Sequence, residues 1–262
     1  MMSPRPSRLA LVAAALLPLL APSAWAQQRA SIQAPRGALE ITLPGQSAPL
    51  AGQALAGITL NLGAGLGALR IAGARPDPMD ATGETWLYDL RRQDAAGAWE
   101  TPACAPGPDG TQAAIFLPAE GGGVAPFCTG ANPAKCVRLG YAPWRTAPDG
   151  RSLAPFHAAC QRMLPAEYAA DGRFHTRNGM RIEIFDFAGV NDPENIGGMP
   201  FEAGWTPDGA VCVAHLRVPE VTDAAHFAGL YPGMADRYGP QACTEDTARA
   251  LGGLVFNRSI AE

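Results

Sequence analysis

Six cysteines restrict what this chain can fold into more than any other feature of its sequence. All of them lie beyond residue 100, and an even number is typical of a protein whose thiols pair in an oxidising compartment. The sequence leaves the connectivity open. We favour the pairs Cys104–Cys128, Cys136–Cys160 and Cys212–Cys243, because each closes a loop of moderate size. Each disulfide would stabilise the fold by roughly 2–4 kcal/mol.

The first 26 residues predict that the chain is exported. Arg5 and Arg8 precede an apolar run over residues 9–21, and Ala24-Trp25-Ala26 then supplies a small-x-small cleavage site. This is the pattern of a secretory signal peptide, and the run is shorter than the roughly 20 residues that a membrane-spanning helix needs. We predict a signal peptide at 1–26, a periplasmic or secreted mature protein, and no stable membrane insertion after cleavage.

The spacing of possible ligands argues against a metal site. Zinc ligands usually lie about two to four residues apart, as in C-x-x-C, whereas the two nearest cysteines here are Cys128 and Cys136. The short mixed pair His157-x-x-Cys160 supplies only two ligands. We therefore predict neither a metal nor a cofactor.

The charge of the chain argues against nucleic acid as a partner. Its formal net charge is −4, so its overall field does not attract a phosphate backbone. The basic residues comprise a single lysine, Lys135, and otherwise arginine, a bias that we attribute to a GC-rich genome. The 30 glycines and 25 prolines indicate many turns and short elements rather than long helices.

Residues 27–123 are predicted to form a β-rich N-terminal region. Apolar and polar residues alternate there with the period of two that half-buried strands show. The predicted strands cover residues 39–43, 58–62, 69–71, 85–90 and 113–117.

Residues 124–262 are predicted to form a mixed α+β domain. Its best helix candidate covers residues 153–168, with Pro155 in the first turn and Pro165 near the end, where proline stops or kinks a helix. Further helices are predicted at 222–231 and 244–254, and strands at 136–141, 180–187 and 210–218. The fold class expected for the whole chain is α+β, with a β-rich first part and a disulfide-stabilised mixed second part.

Many short motifs of the chain resemble those of one bacterial family. They are Trp86-Leu-Tyr-Asp, Lys135 to Trp144, His157-x-x-Cys160-x-Arg162-Met163, Ala166 to Gly172, His175 to Gly179, Gly209 to Cys212 and Asn257 to Ser259. Together they make the chain similar to the ADYC domain-containing proteins. That family consists of exported bacterial proteins of uncharacterised function, so the resemblance implies an ADYC-like domain at 124–262 but no mechanism.

The chain departs from the family at the motif that names it. Where the resemblance implies Ala-Asp-Tyr-Cys, the chain reads Ala166-Glu167-Tyr168-Ala169. The resemblance also implies a cysteine before a proline near Tyr231-Pro232, so two cysteines are missing together, as expected when a disulfide is lost as a unit. Since a catalytic thiol would not tolerate alanine, we interpret the motif as structural.

The densest polar cluster surrounds His175. This imidazole could act as a general base, oriented by Asp171 or Asp186, because imidazole titrates near neutral pH. Alternatively, Asp171-Gly172 and Asn178-Gly179 are two turns that frame an irregular loop, and His175 only anchors that loop. No Gly-x-Ser-x-Gly turn supports a serine nucleophile.

Two hypotheses of function therefore remain open. The first is a non-enzymatic binding or structural protein of the cell envelope, whose partner is an envelope protein, a glycan or a small molecule. The second is a hydrolase-like envelope enzyme that uses His175 with Asp171.

Overall fold

A computed structural model of the chain describes residues 30–62, 67–119, 122–194, 196–218 and 223–260. The predicted signal peptide at 1–26 lies outside the described residues. Among the described residues, no helix combines the length and the apolar character that crossing a bilayer requires.

The described part of the chain forms short strands and helices, as the glycine and proline content indicates. The strands are β1 (Ser31–Gln33), β2 (Glu40–Thr42), β3 (Leu50–Ala51), β4 (Thr59–Asn61), β5 (Ala68–Pro76), β6 (Trp86–Arg92), β7 (Thr101–Pro102), β8 (Ala114–Pro118), β9 (Val124–Cys128), β10 (Ile182–Asp186), β11 (Phe201–Thr206), β12 (Gly209–Val213) and β13 (Val255–Ser259). The α-helices are α1 (Asn132–Arg138), α2 (Ala154–Met163), α3 (Ala224–Leu230) and α4 (Glu245–Ala250). Short 3₁₀ helices cover Gly52–Leu55, Ile196–Gly198 and Pro232–Arg237.

The N-terminal half consists of two antiparallel sheets. Strands β1, β2 and β3 form the smaller one, and the larger one has the order β4-β5-β6-β8-β9, with β7 added beside β6. Alternate residues of β6 and β8 face opposite sides. Tyr88 and Phe116 pack into a core with Leu39 and Leu55, whereas Leu87 and Ile115 belong to a cluster on the other face. The predicted division at residue 123 stays a prediction, and β9, which follows it, pairs with β8.

The C-terminal half is a four-stranded antiparallel sheet of order β10-β13-β11-β12 with helices on both faces. Helix α2 packs through Phe156 and Met163 against Trp205 and Val255. Helix α4 lies on the opposite face, where Ala248 is buried with Phe256. A side chain at Gly204 would place a Cβ atom 2.7 Å from that of Ala248, so glycine at this position permits α4 to approach the sheet closely.

The two halves meet through α1 and the segment that follows it. Val137 of α1 is buried against the second face of the larger N-terminal sheet, in the cluster that holds Leu87 and Ile115. Beside this contact, arginines of the C-terminal half pair with carboxylates that mostly lie in the loop between β5 and β6. We call this group the arginine seam: Arg138 with Asp77 and Asp109, and Arg145 with Asp80 and Glu84.

The cysteines pair in the way that the loop sizes favoured. The sulfur atoms of Cys104–Cys128, Cys136–Cys160 and Cys212–Cys243 are within bonding distance. The first bond joins the ends of the segments around β7 and β9, the second joins α1 to α2, and the third joins β12 to the residues before α4. The α+β fold class with a disulfide-stabilised second half is confirmed.

Some predicted elements are wrong in kind or in extent. Cys136 and Val137 belong to helix α1 rather than to a strand, because two faces of this short segment find apolar partners, one at α2 and one at the N-terminal sheet. The helix predicted at 153–168 ends at Met163, just before Pro165.

Thr244 caps α4 by accepting a hydrogen bond from the Thr247 amide, as a threonine at this position does.

Candidate functional site

His175 lies in the loop between α2 and β10, in a buried position. The residue is 4% exposed, and its Nε2 atom is hydrogen-bonded to the hydroxyl of Tyr231. Its ring centre lies 5.4 Å from that of Tyr168 and 5.8 Å from that of Tyr231. The His175 amide donates to the Pro165 carbonyl at 3.1 Å. The imidazole therefore joins the loop to the start of the 3₁₀ helix that begins at Pro232.

Asp171, the predicted partner of His175, is paired with Arg173. The Arg173 Nε atom donates to Asp171 Oδ2 at 2.8 Å, and these hydrogen bonds lower the pKa of the carboxyl. The same guanidinium donates to the Leu230 carbonyl at 2.8 Å and lies 4.3 Å from the ring centre of Tyr231, a cation–π distance. Asp171 therefore orients Arg173, which in turn hydrogen-bonds to the C-terminal end of α3.

Asp186, the other proposed partner, anchors a different loop. Its carboxylate accepts a hydrogen bond from the Tyr141 hydroxyl at 3.0 Å and from the backbone amides of Ala188, Val190 and Asn191. Burial raises the pKa of Tyr141, and the nearby Asp186 charge adds to this, so Tyr141 remains a neutral donor. The Asp186 carboxylate therefore stabilises the turn that follows β10.

Tyr168, in the 166–169 motif, belongs to a buried polar network. Its hydroxyl donates to Glu202 Oε1 at 2.9 Å and accepts from the Arg217 amide at 3.1 Å. Asn257 Nδ2 donates to Glu202 Oε2, and Trp205 Nε1 donates to Asn257 Oδ1 at 2.7 Å. Burial raises the pKa of Tyr168 well above its ordinary value. We call Tyr168, Glu202, Arg217 and Asn257 the Arg217 lock.

Arg217 has a partner for every guanidinium N–H. Two bonds of 3.0 Å go to the two oxygens of Glu202, and the remaining donors reach the carbonyls of Leu164 and Met163 and the hydroxyl of Thr176. The Arg217 and Glu202 side chains are 1% and 0% exposed. A guanidinium offers five donors, so this ion pair is fully hydrogen-bonded away from water.

The rest of the 166–169 motif shapes a tight backbone turn. Glu167 accepts from Arg162 at 2.6 Å and from the Gly172 amide at 2.8 Å. The Tyr168 carbonyl accepts from the Ala210 amide, and a Cβ atom on Gly209 would lie 2.5 Å from that carbonyl oxygen. Since Gly209 also has a φ of +110°, only glycine at position 209 lets the motif lie this close to β12. This geometry supports a structural role for the motif.

A cleft of about 500 Å³ opens beside this motif. Tyr168, Ala169 and Tyr231 all line it, so the position that departs from the family motif and the residue before Pro232 border one cavity. Four charged residues line it, two of each sign: Asp171, Asp208, Arg173 and Arg237. We call this cavity the Tyr231 cleft.

The family model of the ADYC domain matches residues 52–219. The chain belongs to the ADYC domain family. This match covers the larger N-terminal sheet, the 166–169 motif and the lock residues Glu202 and Arg217. No curated protein and no solved structure matches the chain.

Two other histidines of this ADYC protein have structural surroundings. His157 is buried and its Nδ1 atom is 2.9 Å from the Tyr141 carbonyl, and burial lowers its pKa. His215 Nε2 is 3.2 Å from Ser259 Oγ, but Ser259 is 0% exposed, so no substrate reaches that hydroxyl. Among the described residues, no group of three or more His, Cys, Asp or Glu side chains could hold a metal ion.

Sequence reasoning missed the most buried charged residues of the ADYC protein. Arg217 stands between Leu216 and Val218, and Glu202 stands between Phe201 and Ala203. A charge inside an apolar run indicates a buried pair, because an unpaired charge is costly away from water. That signal was present, but the sequence alone does not say which acid meets which base.

Proposed function

We propose that this ADYC protein is an exported cell-envelope protein that binds a glycan in the Tyr231 cleft without cleaving it. The observation that carries the proposal is the charge balance of that cleft. Two carboxylates and two guanidinium groups line it, so it offers donors and acceptors but no net charge. Such a surface suits a neutral polyhydroxylated ligand better than an ion.

Two features support export. The first 26 residues have the pattern of a signal peptide, and three cysteine pairs lie within bonding distance. Disulfides persist in oxidising compartments such as the periplasm and the cell exterior. Both features together support a periplasmic or secreted location.

The surroundings of His175 favour binding over hydrolysis. A general base needs access to the proton that it abstracts, yet His175 is only 4% exposed and its ring is hydrogen-bonded to Tyr231. The carboxylate of Asp171 holds Arg173 in place of an imidazole. Both side chains therefore support the wall of the cleft, and the hydrolase remains the alternative that the experiment must exclude.

The experiment measures binding and cleavage on one substrate. The mature protein is mixed with purified peptidoglycan sacculi, and we expect saturable co-sedimentation with no release of reducing ends. Asp208→Ala, at an exposed position in the cleft, should weaken co-sedimentation. Asp192→Ala, an exposed acid outside the cleft, is the matched control and should bind as the parent does.

Two results would reject the proposal. Release of reducing ends that His175→Ala abolishes would establish the hydrolase. Absence of co-sedimentation with the folded parent would show that the protein does not bind this glycan. Equal binding by both aspartate variants would show that the glycan does not bind in the Tyr231 cleft.

His175→Ala also tests the structural role directly. The change removes a hydrogen bond, worth about 0.5–1.5 kcal/mol, and a buried ring that packs against two tyrosines. We therefore expect the free energy of unfolding to fall by roughly 1–3 kcal/mol. Urea denaturation of the two proteins at one pH measures it, and an unchanged midpoint would contradict the anchoring role.

A further inference from the structure

A second cavity lies where the two halves of the molecule meet, away from the Tyr231 cleft. It has a volume of about 330 Å³. Apolar side chains form most of its wall: Met79, Leu139, Leu164, Met180, Ile182 and Ile184. We call this cavity the seam groove.

The side chains of the seam groove are only partly covered by the protein. Leu139, Leu164, Ile182 and Ile184 are half-buried at the margin of the C-terminal core, and Met79 is 58% exposed. Methionine is unbranched and polarizable, so it adapts to differently shaped apolar ligands. The groove therefore offers an adaptable apolar surface that water contacts in the free protein.

Lys135 gives the groove a positive charge that belongs to no ion pair among the described residues, and the nearest charges, Arg138 with Asp77 and Asp109, already satisfy one another. The arginine beside it, Arg138, is paired with Asp77 and Asp109 at 2.8 Å each. Lys135, by contrast, lies on the groove wall without an ion pair in the described part of the chain. It is also the single lysine of the sequence. An ammonium at the rim of an apolar groove complements a ligand that has one anionic head and an apolar tail.

We propose that the seam groove binds a medium-chain fatty acid, with the carboxylate at Lys135 and the acyl chain along Ile182 and Ile184. The volume limits the chain length, because a water-sized group occupies about 30 Å³ and the groove holds on the order of ten such groups. An acyl chain brings no backbone amide that would need a partner in an apolar site, which favours it over a peptide. This proposal does not depend on glycan binding in the Tyr231 cleft.

The test measures binding of decanoate and of the uncharged decan-1-ol by isothermal titration calorimetry, below their aggregation concentrations. Lys135→Met keeps the apolar stem and removes the charge, and it should weaken decanoate binding at least ~10-fold while leaving decan-1-ol binding unchanged. Arg70→Met, at an exposed arginine of β5, is the matched control and should bind both ligands as the parent does.

A second variant tests the apolar wall. Met79→Asp changes an exposed side chain, so the variant should fold, and its carboxylate should weaken the binding of both ligands. No saturable decanoate binding by the folded parent would overturn the proposal, as would equal decanoate affinity of parent and Lys135→Met. Self-association of the parent that Met79→Asp abolishes would instead identify a second copy of the chain as the occupant, and would also overturn it.

Discussion

The Arg217 lock and the arginine seam use the same kind of ion pair in different surroundings. In the lock, Arg217 and Glu202 are 1% and 0% exposed, and every guanidinium donor has a protein partner. In the seam, Arg145 is 23% exposed and its partner Glu84 is 32% exposed. Water and dissolved ions therefore reach the Arg145–Glu84 pair of the seam but not the lock.

The difference teaches what each group of charges does for the fold. A buried ion pair contributes little net stability when both charges are present, but removal of one partner is strongly destabilising because it leaves the other charge buried. A partly exposed pair contributes less to stability, its removal costs less, and salt screens it. Removal of one partner should therefore cost more stability in the lock than in the Arg145 pairs of the seam.

The largest effect should follow from Arg217→Ala. The change leaves the Glu202 charge buried with only Tyr168 and Asn257 as donors, and we expect the free energy of unfolding to fall by about 3–5 kcal/mol. Urea denaturation followed by tryptophan fluorescence measures it. Arg217→Lys is the control that keeps the charge but not the five donors, and it should lie between the parent and the alanine variant. A loss below about 1 kcal/mol would show that the lock is not a buried ion pair in solution.

Arg138→Ala should have the largest effect within the seam. Asp77 is 1% exposed on its side chain, so it would lose a charged partner without gaining water. We expect a loss of about 2–3 kcal/mol, the range for a hydrogen bond to a charged group that leaves its partner buried. A double-mutant cycle with Asp77→Ala measures the coupling, and a coupling near zero would contradict the pairing of the two residues.

The pH dependence of stability should report on Asp80 of the seam. Burial alone would raise the pKa of Asp80, but hydrogen bonds from Arg145, Thr85 and Thr82 outweigh it and hold the pKa well below its ordinary value. Since the folded pKa is depressed, the stabilisation is fully present above the unfolded pKa of about 4 and is lost as the pH falls below it.

Asp80→Asn tests this pH dependence. The variant should be less stable than the parent at pH 7, and the difference should shrink between pH 5 and pH 3 as the unfolded parent takes up a proton. Thermal unfolding midpoints of both proteins across that range measure it. A difference that stays constant down to pH 3 would contradict the depressed pKa.

The sequence predicted much of the fold because its patterns are local. Alternation of apolar residues located β6 and β8, and Pro165 marked the end of α2. The α1 helix was missed because its residues are buried on two sides by distant segments, which the local pattern around Cys136 does not reveal.

The candidate site was harder to predict because its partners are set by tertiary contacts. His175 was singled out, but Tyr231, its hydrogen-bond partner, lies 56 residues later in the chain. Arg217 and Glu202 are 15 residues apart in sequence, and their pairing depends on the order of strands in the sheet. Local sequence patterns identify such charges, and only the fold assigns their partners.

The smallest effect should appear where two arginines share one carboxylate. Arg145 Nε donates to Glu84 Oε2 at 2.8 Å, whereas Arg36 lies 3.9 Å from Glu84 Oε1 with a side chain that is 69% exposed. Because exposed pairs contribute little, Arg36→Ala should change the free energy of unfolding by less than about 0.5 kcal/mol. Arg145→Ala should cost about 1–2 kcal/mol, since it also removes hydrogen bonds to Asp80.

Salt makes this comparison sharper. At 1 M NaCl the Debye length falls to about 3 Å, so the residual effect of Arg36→Ala should vanish. Most of the Arg145→Ala effect should persist, because short hydrogen bonds in a partly buried site are screened less than an exposed contact. Urea denaturation at low and high salt measures both variants. If Arg36→Ala and Arg145→Ala lowered the free energy of unfolding equally, or if salt removed the Arg145 effect entirely, exposure would not be what distinguishes the two arginines beside Glu84.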